Sequence, residues 1–278
     1  MSPAVADGPS REPPPQDHGR QLILRRTAWR MVTPDSPTRS MNETVQFIPL
    51  TRLALAFIPV CAVLVIIHRW SLGTRAGLVA VLRMVTQLLL VGYVLTFIFE
   101  SNSAAVVLSI VSVMLATAGW IALRPLGDER RTLYPKVLLA ISVGAVAVVV
   151  IATQGVLDLG IWHDASVVIP LAGIVLANSM NTVSLAAERF RAERRRGAEY
   201  RAARDTAMNT ALIPMTNSLL AVGLVSLPGM MTGQILSGVM PLIAVRYQIL
   251  VMCMIFGSAG LATSCYLILQ RPADGTGP

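Results

Sequence analysis

Residues 103–123 read SAAVVLSIVSVMLATAGWIAL, twenty-one residues without a charge. At about 1.5 Å of rise per helical residue, such a run crosses about 30 Å of hydrocarbon. One run of this kind fits a buried helix equally well, so its neighbours decide. Comparable apolar runs occupy 47–67, 78–99, 137–153, 167–187, 211–227 and 248–269. About seven in series predict an all-α integral membrane protein, since a bundle of helices satisfies every backbone polar group inside a bilayer. Composition agrees: 54% of the 278 residues are hydrophobic and 14% are charged, whereas a soluble domain carries about 25% charged residues.

Between the sixth and seventh runs lies PGMMTGQILSGVMPLIAV, 228–245. Its glycines and prolines interrupt a lipid-facing helix, so a broken hairpin buried against the bundle is expected there. Residues 1–40 differ from everything after them. They hold seven of the 17 prolines, have no sustained apolar period and read as a disordered tail. Within it, the basic and partly amphipathic piece 19–32 suits an anionic membrane surface. Met41 opens MNETVQFIPL just before the first run. It is a natural start for the transmembrane domain 41–270, which would make the tail an over-extended reading frame; 271–278 is a short second tail. Cys61, Cys253 and Cys265 form no CxxC or zinc spacing. Each is expected to be a small buried apolar residue.

The net charge of +8 raises a nucleic-acid reading, and its layout argues against one. The first-to-second link carries Arg69 and Arg75, the third-to-fourth Arg124, Arg130, Arg131 and Lys136, and the fifth-to-sixth seven arginines from Arg189 to Arg204. The alternating links carry Arg246 alone. The positive-inside bias then puts the basic links in the cytoplasm, the amino terminus outside and the carboxyl terminus inside a cytoplasmic membrane. Arginines in the first forty residues run against this assignment, a conflict that disappears if Met41 is the start.

Some chemistry is absent. No G-x-x-x-x-G-K-[ST] phosphate loop occurs, and the single lysine sits in LYPKVL without a glycine-rich lead-in. Nor is there an H-E-x-x-H or a G-x-S-x-G. The chain is not expected to be an enzyme or to hold a cofactor; ATP and magnesium, if used, belong to a separate polypeptide.

The segment 188–208, ERFRAERRRGAEYRAARDTAM, is long for a link between bundle helices, where about 2–8 residues suffice. A solvated charged link is the plain reading of it. Its length favours a coupling segment that docks on a soluble ATPase, with Arg191, Arg195, Gly197, Glu199, Arg201 and Arg204 as the contact set. Polar residues inside the runs raise a parallel choice. Arg83 and Gln87 share a helix face, Asn178 and Asn181 lie mid-membrane, and Asn217 falls in the sixth run. Gly173, Ala177 and Asn181 give a small-residue spacing that allows close helix approach. Snorkelling and interhelical hydrogen bonds compete with a translocation path lined by these residues together with Met230, Met231 and Gln234. Glu100, Asp158, His163 and Asp164 read as a wetted outer rim, and no metal site can be named.

Three stretches carry a resemblance: LRMVTQLLLVGYVLTFIF (82–99), IPLAGIVLANSMNTVSLA (169–186) and ALIPMTNSLLAVGLVSLPGMMTGQILSG followed by AVRYQILVM (211–252). From about Met41 to Leu269 the chain resembles the FetB/YbbM family of ABC-transporter permeases. The resemblance implies export of iron or another metal ion, with plant relatives linked to aluminium tolerance and nucleotide-sugar transport. It also implies a P-loop ATPase partner, a homodimer of this chain in the lipid bilayer, and no nucleic acid. The match to an EAA-type motif is loose, because Gly197 and Pro214 stand several residues too far apart. A stand-alone secondary transporter is the alternative; no acid suited to proton relay lies within the runs and no inverted repeat links the halves.

Overall fold

The computed structural model describes residues 48–71, 73–99 (backbone alone for 95–99) and 103–272. The proline-rich tail, Glu100 and residues 273–278 lie outside the described residues. Apart from one isolated bridge, the regular structure among them is helical. Helix α1 (Leu50–Arg69) is interrupted at Ala56, before the segment Phe57–Arg69. Pro59 explains the break, since its ring has no N–H to give and crowds the carbonyl of Leu55 four residues back.

Helix α2 spans Thr74–Phe99 and α3 spans Ala104–Ala122. A 3₁₀ turn, Arg124–Glu129, holds Gly127 at φ +54° and leads into α4, Arg130–Val150. One π turn, Ile151–Val156, prolongs α4. Helix α5 is the longest, Ala165–Arg195. It starts at Asp164, whose side chain accepts from the Ser166 N–H at 3.0 Å and the Ser166 hydroxyl at 2.7 Å, an N-cap bond that satisfies an orphan donor of the first turn. Helices α6 (Tyr200–Ala221), α7 (Gly229–Leu236) and α8 (Pro241–Leu269) complete the bundle.

Among the described residues, six helical segments are long and apolar enough to cross a membrane: α1, α2, α3, the run Arg124–Val156, α5 and α8. The run expected at 211–227 is the apolar half of α6, which begins eleven residues earlier among charges. The helix stops at Ala221, because Gly223 at φ +83° and the Val222–Ser226 bridge turn the chain. Pro228, the short α7 and Gly238 at φ +90° make the broken hairpin expected between the last two runs. Its far arm is shorter than expected, since α8 starts at Pro241 and carries Arg246 on its exposed face.

The core lies among α3, α4, α5, α6 and α8, and its seams are built from small residues. Ala118 and Ala122 of α3, Ala140 of α4, Ala203, Ala207 and Ala211 of α6, and Ala259 and Ala262 of α8 are all buried. The closest approach is at Gly144 of α4. A Cβ there would sit 2.7 Å from the Ser258 carbonyl oxygen and 2.9 Å from the Ala262 nitrogen. Bilayer helices associate through this kind of backbone-close packing, because lipid supplies no hydrophobic drive between them. Helices α1 and α2 bury no described residue. Their apolar side chains are left to lipid or to another chain. Cys61 and Cys253 are exposed and Cys265 half-buried, so the expectation of three buried thiols fails. Cysteine is apolar enough to face hydrocarbon as readily as a core.

Candidate functional site

The charged segment 188–208 is the tip of a helical hairpin, formed by the last turns of α5 and the first turns of α6. Gly197, at φ +86°, ends α5. The Ala198 N–H reaches the Glu193 carbonyl and the Gly197 N–H reaches the Arg194 carbonyl, both at 3.1 Å. That pair of bonds is the Schellman closure, which needs a left-handed residue that glycine adopts without strain.

The tip is braced from below. The Phe190 and Tyr200 rings meet edge to face at 6.0 Å, and the Tyr200 hydroxyl donates to the Leu267 carbonyl on α8 at 2.8 Å. Arg191 points back into the protein, donating to Glu129 at 2.6 Å and to the Leu126 carbonyl at 2.8 Å. Arg194 donates to the Ala198 carbonyl at 2.9 Å, and Glu193 draws in Arg189 and Arg196 at 2.8 and 3.3 Å. Arg204 pairs with its neighbour Asp205 at 2.7 Å. Arg195, Glu199 and Arg201 remain, exposed and with no ion pair among the described residues. Of the six expected contact residues, Arg191 is thus a brace, Gly197 makes the turn, and three offer free charge. Beside the tip, Glu129, Arg194, Arg195, Tyr266 and Gln270 line an open hollow of about 360 Å³.

The expected path residues do not gather in one place. Asn178 of α5 and Asn217 of α6 line one cleft of about 430 Å³, with Ser218, Ser226 and Met252. Asn178 donates to the Ile174 carbonyl one turn back at 2.8 Å, which leaves its amide oxygen to the cleft. Asn181 is exposed on another face of α5, beside the exposed Ala177. In the Gly173–Ala177–Asn181 series only Gly173 meets a helix within the chain, where a Cβ would stand 3.1 Å from Met114 Cε. Met230, Met231 and Gln234 sit on α7 outside the cleft lining; Gln234 Oε1 is buried without a partner. Arg83 and Gln87 face a separate groove beside α3.

Sequence reading missed several features of the bundle. One is the polar seam of Ser179 and Thr182 on α5 with Gln248, Ser258 and Thr263 on α8, all buried. Another is the small-residue pairing of Ala140 and Gly144 with Ser258 and Ala262. The signal was present as spacings of four, which allow close helix contact. The third is the acidic partner of Arg191, sixty-two residues away, for which no local pattern exists.

Three comparisons place this geometry among known proteins. The sequence pattern of the Uncharacterised protein family (UPF0014) matches residues 50–272. The Synechocystis UPF0014 membrane protein slr1647 is 34% identical over 202 residues, 65% of this chain and 76% of that protein. The Escherichia coli "Probable iron export permease protein FetB" is 33% identical over 244 residues, 79% of this chain and 90% of that protein. The rice UPF0014 membrane protein STAR2 is 31% identical over 217 residues, 72% of this chain and 74% of that protein. No solved structure matches the chain.

Proposed function

This chain belongs to the UPF0014 family of membrane proteins, and from that premise we propose that it is the permease subunit of an ATP-driven exporter. The substrate is iron or a similar metal ion, in line with the name of the FetB relative. ATP is hydrolysed by a separate P-loop ATPase. The observation that carries the reading is the hairpin tip. Its backbone is fixed by the Gly197 closure and the Tyr200 and Arg191 braces, while Arg195, Glu199 and Arg201 project with no internal partner. A rigid scaffold with unspent charge suits docking, since charge complementarity sets register and partner choice across an interface. The basic links around it favour a cytoplasmic location, where ATP is found.

The cleft of Asn178 and Asn217 is the best candidate for part of the path, and Asn181 supports a second copy of the chain. An amide exposed within a span is costly against lipid, so partners are expected for it. A homodimer with that face of α5 turned inward would shield Asn181 and widen the path beyond the single cleft.

The experiment is reconstitution in liposomes with a candidate P-loop ATPase subunit from the same organism. ATP-dependent iron flux that needs both polypeptides is the expected result. Flux driven by an ion gradient without the ATPase would favour a secondary transporter and sink the proposal.

A further inference from the structure

The groove that takes Arg83 and Gln87 away from the polar cleft has a chemistry of its own. It encloses about 920 Å³ between α2, the end of α3 and the turn that follows. Arg75, Val79, Arg83 and Gln87 recur every four residues of α2 and so stand along one helix face. Arg124 and Arg130 close the groove from the other side. Four arginines therefore line one opening, and no aspartate or glutamate lines it with them. None of the four has an ion pair among the described residues. Glu129, the acid next in chain to Arg130, is held by Arg191.

Arg130 is also the most constrained of the set. Its guanidinium lies over the Trp120 ring at 3.6 Å and donates to the Trp120 carbonyl, yet its Nε is buried without a partner. The rest of the lining is largely apolar, with Val79, Ala80, Met84 and Leu88 interspersed among the α2 arginines and Ile121 opposite on α3.

We propose that this groove binds one anionic phospholipid from the leaflet on the side of the basic links, its phosphate among Arg83, Arg124 and Arg130 and an acyl chain along α2. The combination selects that occupant. A free phosphate or nucleotide would leave the apolar wall unused, and an apolar partner helix would bury four guanidinium groups with no acid to balance them. A phospholipid meets both halves, and α2 buries nothing against the rest of the chain that would keep lipid away. Juxtamembrane arginines attract anionic lipid in this way, and their long stems let the charge sit at headgroup depth. The bound lipid would then join α2 to the core where the protein itself supplies little contact.

The test is native mass spectrometry of the full chain in an uncharged detergent, titrated with phosphatidylglycerol or with phosphatidylcholine of identical acyl chains. Wild type is expected to retain phosphatidylglycerol selectively. Arg83→Gln with Arg124→Gln should lower that affinity about thirtyfold and leave phosphatidylcholine unchanged. Arg195→Gln with Arg201→Gln, on the hairpin tip, should keep full affinity. If the groove double variant is not monodisperse, Arg83→Gln alone should still lose about fivefold. Glycerol phosphate, which has the headgroup charge without acyl chains, should not displace the lipid. Equal retention of the two lipids, equal loss in the tip variant, or displacement by glycerol phosphate would each overturn the proposal.

Discussion

Gly144 of α4 lies against the backbone of α8, and replacing it with alanine tests whether that contact organises the bundle. The added methyl would stand 2.7 Å from the Ser258 carbonyl oxygen, 2.9 Å from the Ala262 nitrogen and 3.0 Å from the Ala262 Cβ. Two of these are helix backbone atoms, which cannot rotate aside as the end of a side chain can. Either α4 or α8 must shift. Overpacking of this kind costs about 1–3 kcal/mol, and the gain of about 1 kcal/mol in helix propensity on replacing glycine offsets part of it. The net destabilisation is up to about 2 kcal/mol. At about 2–4 °C per kcal/mol for a domain of this size, the midpoint should fall by up to about 8 °C. Gly260 on α8 is the control, because nothing lies within 4 Å of its Cβ position. Gly260→Ala should leave the midpoint unchanged or raise it slightly. The assay is thermal unfolding of both variants in one detergent, read by the loss of the monodisperse chromatographic peak. A Gly144→Ala variant as stable as Gly260→Ala would show that the α4–α8 contact is not close, and the packing argument would fall.

Other expectations follow from the hairpin tip and the charge layout. Arg195→Glu combined with Glu199→Arg should leave membrane abundance near wild type, since exposed charges contribute about 0.2–1 kcal/mol, while abolishing co-purification with the ATPase; unchanged recovery of the ATPase would mean the tip does not dock. Arg191→Ala and Glu129→Ala should each destabilise the chain, and a double-mutant cycle on thermal stability should return a coupling of about 1 kcal/mol; additive effects would remove Arg191 from its bracing role. On a background without Cys61, Cys253 and Cys265, an impermeant thiol reagent applied to intact cells should modify Asp164→Cys and spare Arg201→Cys, and the reverse pattern would invert the orientation. The purified chain alone should not hydrolyse ATP, and turnover in material free of any partner would contradict the missing phosphate loop.

The sequence made the helical membrane architecture legible because a charge-free run of bilayer length is a local property, read without knowing what surrounds it. Helices α3 and α5 begin within two residues of the expected edges. Elsewhere charge misled the reading of helix ends. Arg130 and Arg246 fall in expected links, yet both are helical, since a helix need not stop where the hydrocarbon does. The bounds 211–227 differ for the same reason at the start, where the helix begins at Tyr200, and at the end because Gly223 turns the chain. Site residues were legible by type and not by grouping. Asn178 and Asn217 share a cleft because α5 and α6 pack side by side, and Asn181 falls outside the lining because an offset of three turns its side chain about 60° from Asn178, towards the exposed side of α5.

That pairing of helices bears on how docking at the tip would reach the path. Asn178 and Arg195 belong to one helix, Glu199 and Asn217 fall at the two ends of the next, and the Gly197 turn joins the two. Seventeen residues of α5 separate Arg195 from Asn178, about 25 Å of helix at 1.5 Å per residue. The buried series Ala203, Ala207 and Ala211 seats α6 in the core. Under the proposed coupling, a partner that pulls on Arg195 and Glu199 acts on both walls of the Asn178–Asn217 cleft through two helical arms of similar length. Pro214 lies one turn from Asn217 and removes a backbone bond there, which makes that turn the place where α6 can bend while α5 stays straight. Under the proposed coupling, the cleft opens at Pro214. Pro214→Ala should then stiffen α6, leaving docking intact while slowing flux, and a variant that transports at the wild-type rate would move the hinge elsewhere.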